Sequence, residues 1–200
     1  MLTFHVITLF PELIETYCSS SILGRGKSAG RYALKTYNPR DFCLDKYRKV
    51  DDTPYGGGAG MLLKPEPIFA AVESIQASAK GPVIFLSPHG DILTQQKARS
   101  LAEHKHIIII CGHYEGIDER IKTLVTDEIS LGDFVLTGGE LPALVVIDSV
   151  SRLIPGVLGK QSSLADESFV SGLLEAPQYT KPAVFRGMEV PAILRSGDHK

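Results

Sequence analysis

Between Val83 and Ile154 one local pattern recurs: a short aliphatic run, a glycine-bearing turn, then residues at helical spacing. Val83-Ile84-Phe85-Leu86 ends in Ser87-Pro88-His89-Gly90, and Ile107 to Cys111 ends in Gly112. Asp127 to Leu131 reads as extended and leads to a turn at Gly138-Gly139. Helices are expected from Thr94, a capping residue, toward His104, over Ile117 to Val125, and over Glu140 to Ile154. Strand, turn and helix in repetition predict an α/β domain with a largely parallel sheet. Ligands of such sheets sit where loops leave the carboxyl ends of the strands. The turns 87–90, 111–116 and 131–139 are therefore where a site is expected.

Upstream, His5 to Leu9 reads as a buried strand, and Phe10-Pro11-Glu12 opens a helix with proline in its first turn. Gly24 to Lys35 is rich in glycine and basic residues and is expected as a loop leading to a short strand. Val50 to Met61 is loop-like, with Pro54 and four glycines in the seven residues from Tyr55. Lys64 to Ala79 is a helix candidate with Ile68, Ala71, Val72 and Ile75 on one face. From Pro155 the character changes: Lys160 to Gly172 is polar and expected to be mobile, and Pro177, Pro182 and Pro191 punctuate the C-terminal remainder.

Hydrophobic content of 44% and charged content of 22% describe an ordinary globular chain. The aliphatic run Ile107 to Ile110 is far too short to span a bilayer, and the N-terminus lacks a signal-peptide pattern. Three scattered cysteines with no C-x-x-C pair argue against a disulfide framework or a zinc site, and for a reducing cytosol. The net charge of −2 is unevenly spread: from Gly24 to Lys49, eight basic residues face two acidic ones, a local +6. That excess suits either a phosphate-attracting patch or a solvated basic surface. Gly56-Gly57-Gly58-Ala59-Gly60-Met61 lacks the G-K-[ST] ending of a P-loop and the spacing of a dinucleotide fingerprint.

Four long motifs, in order, resemble the bacterial-type tRNA (guanine-N1)-methyltransferases. They are Val50-Asp51-Asp52-Thr53-Pro54-Tyr55-Gly56-Gly57-Gly58-Ala59-Gly60-Met61, Cys111 to Arg120 (CGHYEGIDER), Leu131 to Pro142 (LGDFVLTGGELP), and Asp148-Ser149-Val150-Ser151-Arg152 with Ile154 to Gly159. The resemblance implies a SPOUT-type α/β fold with a deep trefoil knot, although knots are nearly absent elsewhere. It further implies a cytoplasmic homodimer with its active site between subunits. The reaction would be S-adenosylmethionine-dependent methylation of N1 of guanosine 37, 3′ of the anticodon in tRNA, with magnesium assisting. Residues 1–159 would form the methyltransferase domain. Residues 160–200 would be an interdomain loop and the start of a C-terminal tRNA-binding domain, so the chain is expected to be a piece of a longer protein and to bind tRNA weakly.

The same resemblance assigns site residues. The methyl donor would lie among Leu86, Ser87, Pro88, Gly90, Gly112, Tyr114, Glu115, Leu131, Gly132, Asp133, Phe134, Val135, Leu136, Gly138 and Gly139, held largely by backbone groups, where glycine permits close approach. His89 stands where glutamine is the family's residue, and Tyr47 where histidine is common. Asp51, Asp52, Tyr55 and Gly56 would contact guanosine or tRNA. Guanine N1 carries a proton and becomes nucleophilic only when that proton leaves. A carboxylate can take it, and a cation can hold the charge that shifts to O6. Arg152 matches the cation; as a bland alternative it pairs with Asp148 at i, i+4. The base is Glu167 by ungapped alignment or Asp166 one residue earlier; the alternative is an N-capping arrangement, Ser163-x-x-Asp166, that starts a short helix. Two rival readings are a catalytically silent RNA-binding dimer of the same fold and a nucleotide hydrolase using Gly56 to Gly60.

Overall fold

The computed structural model describes residues 1–158 and 177–195. The chain divides into two compact units, Met1–Gln161 and Ser162–Lys200. In the first, the elements run β1 (Leu2–Ile7), α1 (Pro11–Cys18), α2 (Ser21–Ser28), β2 (Tyr32–Tyr37), β3 (Asp51–Asp52), β4 (Leu62–Leu63), α3 (Pro65–Gln76), β5 (Val83–Ile92), α4 (Gln95–Ala102), β6 (His106–Ile110), β7 (Asp127–Ser130) and α5 (Glu140–Ser151). Short 3₁₀ turns cover Pro39–Phe42 and Glu119–Leu124. In the second unit, β8 (Val184–Phe185) and β9 (Met188–Glu189) form an antiparallel hairpin before a short helix α6 (Ala192–Arg195).

Five strands make one sheet in the order β2-β1-β6-β5-β7, and each of its pairings is parallel. Parallel strands need both faces covered, and the two apolar clusters show how these sequences meet that need. Phe4, Val6, Ile84, Ile107 and Ile109 point to the side of α1, α4 and α5. Ile7, Val83, Phe85, Ile108 and Ile110 point to the side of α3, whose Ile68, Ala71, Val72 and Ile75 are all buried as their spacing predicts. The expected cap of α4 is present: Thr94 Oγ1 accepts from the Lys97 N–H at 3.2 Å.

Four expectations are corrected. The first strand covers Leu2–Ile7 rather than His5–Leu9. The glycine-rich stretch after Cys18 contains a helix, α2, instead of a loop up to β2. Its Gly24 and Gly26 are on the buried side, where an added Cβ would meet the Ser19 carbonyl at 2.2 Å and Val157 at 3.2 Å. Close packing there outweighs the poor helix propensity of glycine. The turn expected at Ser87–Gly90 is interior to β5, which continues to Ile92 through a register shift between Leu86 and Asp91 against β7. Ile117 to Val125 is largely a 3₁₀ turn rather than an α-helix.

Candidate active site

Because β5, β6 and β7 run in parallel, the segments that leave the carboxyl ends of β6 and β7 emerge on one side of the sheet, beside the Leu86–His89 stretch where β5 shifts register. They enclose a cleft of about 390 Å³. Of the residues expected at a donor site, Leu86, Ser87, Pro88, Gly112, Tyr114, Glu115, Leu131, Gly132, Phe134, Val135, Leu136, Gly138 and Gly139 line it. Gly90 and Asp133 are not among the lining residues. Asp133 is exposed. Gly90 serves the sheet, since a Cβ there would lie 2.4 Å from the backbone of Glu128 and Ile129.

The turns are nested backbone to backbone. The Gly139 N–H donates to the Gly112 carbonyl at 2.8 Å, and a Cβ on Gly139 would meet Cys111 Cα and Gly112 N at 2.7 Å. Tyr114, on the opposite wall, adopts a φ of 58°, a left-handed conformation that costs a non-glycine residue energy and marks a constrained site. Behind the wall, Glu140 opens α5 with only 6% of its surface exposed. Its Oε1 accepts from Thr8 Oγ1 at 2.7 Å, and Thr8 Oγ1 accepts from the Phe10 N–H at 3.0 Å. The N-terminal end of the α5 dipole also favours this carboxylate. Burial first, and Glu140 second, raise the Cys111 thiol well above its ordinary pKa, so it stays protonated.

His113 also lines the cleft, its ring edge-on to Phe10 and Tyr114 at centroid distances of 5.1 and 4.8 Å. Its Nδ1 is buried with no hydrogen-bond partner among the described residues. His89 lines the cleft where glutamine was expected, and both its backbone N–H and its ring reach Ser87 Oγ, at 3.1 and 3.3 Å. At the rim, Lys122 pairs with Glu119 at 3.3 Å and Glu128 at 3.6 Å.

The β3–β4 hairpin docks on the second turn: the Glu115 N–H donates to the Met61 carbonyl, and the Leu63 N–H to the Gly116 carbonyl. The glycine loop at its tip therefore approaches the cleft, and Gly60 lies against the Glu115 side chain. Asp51, Asp52, Tyr55 and Gly56 belong to this hairpin and do not line the cleft. Tyr55 is fully exposed. The Thr53 N–H, and then the Lys49 ammonium at 3.3 Å, hold the Asp52 carboxyl below its usual pKa. Tyr47 is exposed on the approach to the same hairpin.

Arg152 is half-buried at the C-terminal end of α5. A helix of this length spans about 18 Å, so Arg152 and the Gly139 end of the cleft are at opposite ends of one rod. Its helical neighbour Asp148 accepts from the Tyr17 hydroxyl at 2.8 Å. Asp166 and Glu167 lie outside the described residues. Among the described residues no group of three or more His, Cys, Asp or Glu side chains is placed to hold a metal ion, and no helix is long and apolar enough to cross a membrane.

The family model described as "tRNA (Guanine-1)-methyltransferase TrmD" matches residues 2–200. The chain belongs to the tRNA (guanine-1)-methyltransferase family. A relative from Dictyoglomus turgidum named tRNA (guanine-N(1)-)-methyltransferase is 54% identical over 100% of the chain and 81% of its own length. One of the same name from Dehalococcoides mccartyi is 57% identical over 97% of the chain and 79% of its own length. The crystal structure of the tRNA (m1G37) methyltransferase from Aquifex aeolicus superposes with a TM-score of 0.84 at 42% identity, covering 99% of this chain and 84% of that one. The family membership expected from the four motifs is thereby shown, as is an α/β fold with a central parallel sheet.

Among the lining residues, Phe85, His113, Glu119, Lys122, Thr137 and Pro142 are given no role by the motif reading, nor are Glu140 and Thr8 behind them. A glutamate in the first turn of a helix is ordinarily read as a surface residue that suits the dipole. Only the 132-residue separation of its hydroxyl partner reveals that it is buried.

Proposed function

We propose that this chain transfers the methyl group of S-adenosylmethionine to N1 of guanosine 37 in tRNA, 3′ of the anticodon, as one half of a homodimer. The observation that carries this reading is the convergence of the glycine-bearing turns after β6 and β7 on one cleft with the irregular Leu86–His89 stretch of β5, in a chain of this family. The cleft suits the donor chemically. Phe85, Leu86, Leu131 and Leu136 offer apolar walls to a purine, and nested turns offer backbone groups to its edges and to the amino-acid end. When bound, the donor supplies an electrophilic methyl on a sulfonium.

The chain's own side chains do the rest. The carboxylate of Glu115 lines the cleft, where it opposes the positive sulfur and can orient the guanine. Glu167 or Asp166 takes the N1 proton, and the Arg152 guanidinium holds the negative charge that moves to O6. Asp51, Asp52, Tyr55 and Gly56, on the hairpin docked beside Glu115, meet the RNA.

Two features support the dimer. Arg152 is far along α5 from the cleft, so a second copy is the natural source of the arginine and base that complete a site. A continuous apolar face is also available for it: Leu13 and Tyr17 on α1 and Leu141 and Val145 on α5 are 52%, 46%, 61% and 45% exposed. The trefoil knot is supported by the seating of Gly139 directly on Cys111 and Gly112, which packs the segment entering α5 against the segment leaving β6. A 160–200 domain that contributes to tRNA binding, assistance by magnesium, and a cytoplasmic location supported by three free cysteines belong to the same proposal.

Calorimetry with S-adenosylhomocysteine and methyl transfer to tRNA transcripts with G or A at position 37 test the reading. Binding, and transfer to the G37 transcript alone, are expected. Binding of ATP or GTP instead would favour a hydrolase, and donor binding without transfer would favour a silent RNA-binding dimer. Arg152→Ala should lower the rate ~10²–10³-fold. Glu167→Gln beside Asp166→Asn identifies the base by which one loses transfer.

A further inference from the structure

We propose that a shallow hollow on α2, lined by Ser19, Ser21, Arg25 and Ser28 with Lys27 at its edge, is a binding site for a phosphate of the tRNA backbone. The inference rests on the tRNA reading above and adds a place where the substrate's backbone is held, away from the donor cleft.

On α2, Leu23 and Gly26 are buried while Ser21, Arg25 and Ser28 are exposed, and Gly24, which has no side chain, also lines the hollow between them. Ser21, Arg25 and Ser28 stand at i, i+4 and i+7, a single stripe. Ser19, in the turn before the helix, closes the hollow, whose lining holds hydroxyls and a guanidinium and no carboxylate. Lys27 Nζ reaches the Ser19 hydroxyl at 3.0 Å, bringing a second cation to the edge.

The charge here is uncompensated, unlike that of Arg48 and Lys49 at the far end of the basic stretch. Arg48 is paired with Asp41 at 3.2 Å and Lys49 with Asp52 at 3.3 Å. Among the described residues neither Arg25 nor Lys27 has a carboxylate partner. Two cations with hydroxyl donors between them match the two non-bridging oxygens of a phosphodiester, which share one negative charge. Such a contact fixes the position of an RNA without reading its sequence.

The test measures binding of a G37 tRNA transcript to the whole chain by fluorescence anisotropy over a range of salt concentrations. Arg25→Gln combined with Lys27→Gln should weaken binding about tenfold and flatten the slope of log affinity against log salt by ~1, for the one phosphate the hollow holds. The charge-preserving pair Arg25→Lys with Lys27→Arg should restore most of the affinity. Arg48→Gln, which removes a charge already paired, should change the slope by less than the Gln pair does. Binding of S-adenosylhomocysteine should be the same in all of them. Wild-type affinity and slope in the Gln pair, or binding by the charge-preserving pair as weak as that of the Gln pair, would overturn the inference. Inorganic phosphate serves as a competitor: full displacement of tRNA at concentrations that leave the Gln pair unaffected would instead assign the hollow to free phosphate. Loss of methyl transfer to tRNA by the wild-type chain would sink the function and is read separately.

Discussion

At Gly139 an added Cβ would meet Cys111 Cα and Gly112 N at 2.7 Å, whereas at Gly56 and Gly57 it would meet nothing within 4 Å. Both regions are glycine-rich, and both border the same site. At Gly139 glycine is there because two backbones touch. In the β3–β4 hairpin it is there because φ is +84° at Gly56 and +81° at Gly57, values an L side chain rarely adopts. Under the proposed function, the first region is a fixed mould for the methyl donor. The second is an exposed loop whose shape, rather than its packing, is what the RNA would meet.

The contrast can be broken at several points. Gly139→Ala should be the most damaging, since backbone cannot yield as a side chain does: a loss of ~3 kcal/mol in stability and no calorimetric signal with S-adenosylhomocysteine. Normal donor binding in that variant would mean the turns are not nested. Acid probes the sheet without mutation. His5 is held to a pKa of about 4, mainly by burial and then by His106 and Lys35. The unfolded chain therefore takes up a proton between pH 6.5 and about 4 that the folded chain refuses, so this contribution to stability is complete above pH 6.5 and declines as pH falls. The melting temperature should drop across that window, by the equivalent of about 3 kcal/mol at its lower end. A His5→Gln variant should show a shallower decline; an identical one would remove His5 as the cause.

Gly90→Ala should cost ~2 kcal/mol by pushing β5 from β7, with a smaller loss of donor affinity than at Gly139 because Gly90 does not line the cleft. Gly57→Ala, the mildest, should cost ~1 kcal/mol through its φ. It should leave S-adenosylhomocysteine binding unchanged and raise KM for tRNA. Equal effects on both ligands would erase the distinction between mould and loop.

Much of the fold was legible in the sequence because a strand buried on both faces needs no partner to be recognised. Ile107 to Ile110 and Val83 to Phe85 could only be interior, and α3 carried its apolar face openly. What stayed hidden depended on contacts between distant segments. α2 reads as a loop until Gly24 and Gly26 are seen against Ser19 and Val157. Ser87–Gly90 reads as a turn until Gly90 is seen against Glu128 and Ile129. The strand order, with β6 between β1 and β5, leaves no trace in local periodicity. The site followed the same division: the motifs mark the turns, whereas the buried Nδ1 of His113 and the burial of Glu140 emerge only when residues 8, 113 and 140 come together.

The bond from Thr8 to Glu140 joins the exit of the first strand to the entry of the last helix of the sheet domain. A growing polypeptide thus carries the whole apolar cluster on the α3 side of the sheet, but not Ala143, Leu144, Val146, Ile147, Val150 and Val157 of the other, before the wall of the proposed donor site is locked in place. Occupancy by the donor would then report that synthesis and winding of this region are finished, and a nascent chain stalled ahead of residue 140 would be folded in part yet blind to its small-molecule ligand.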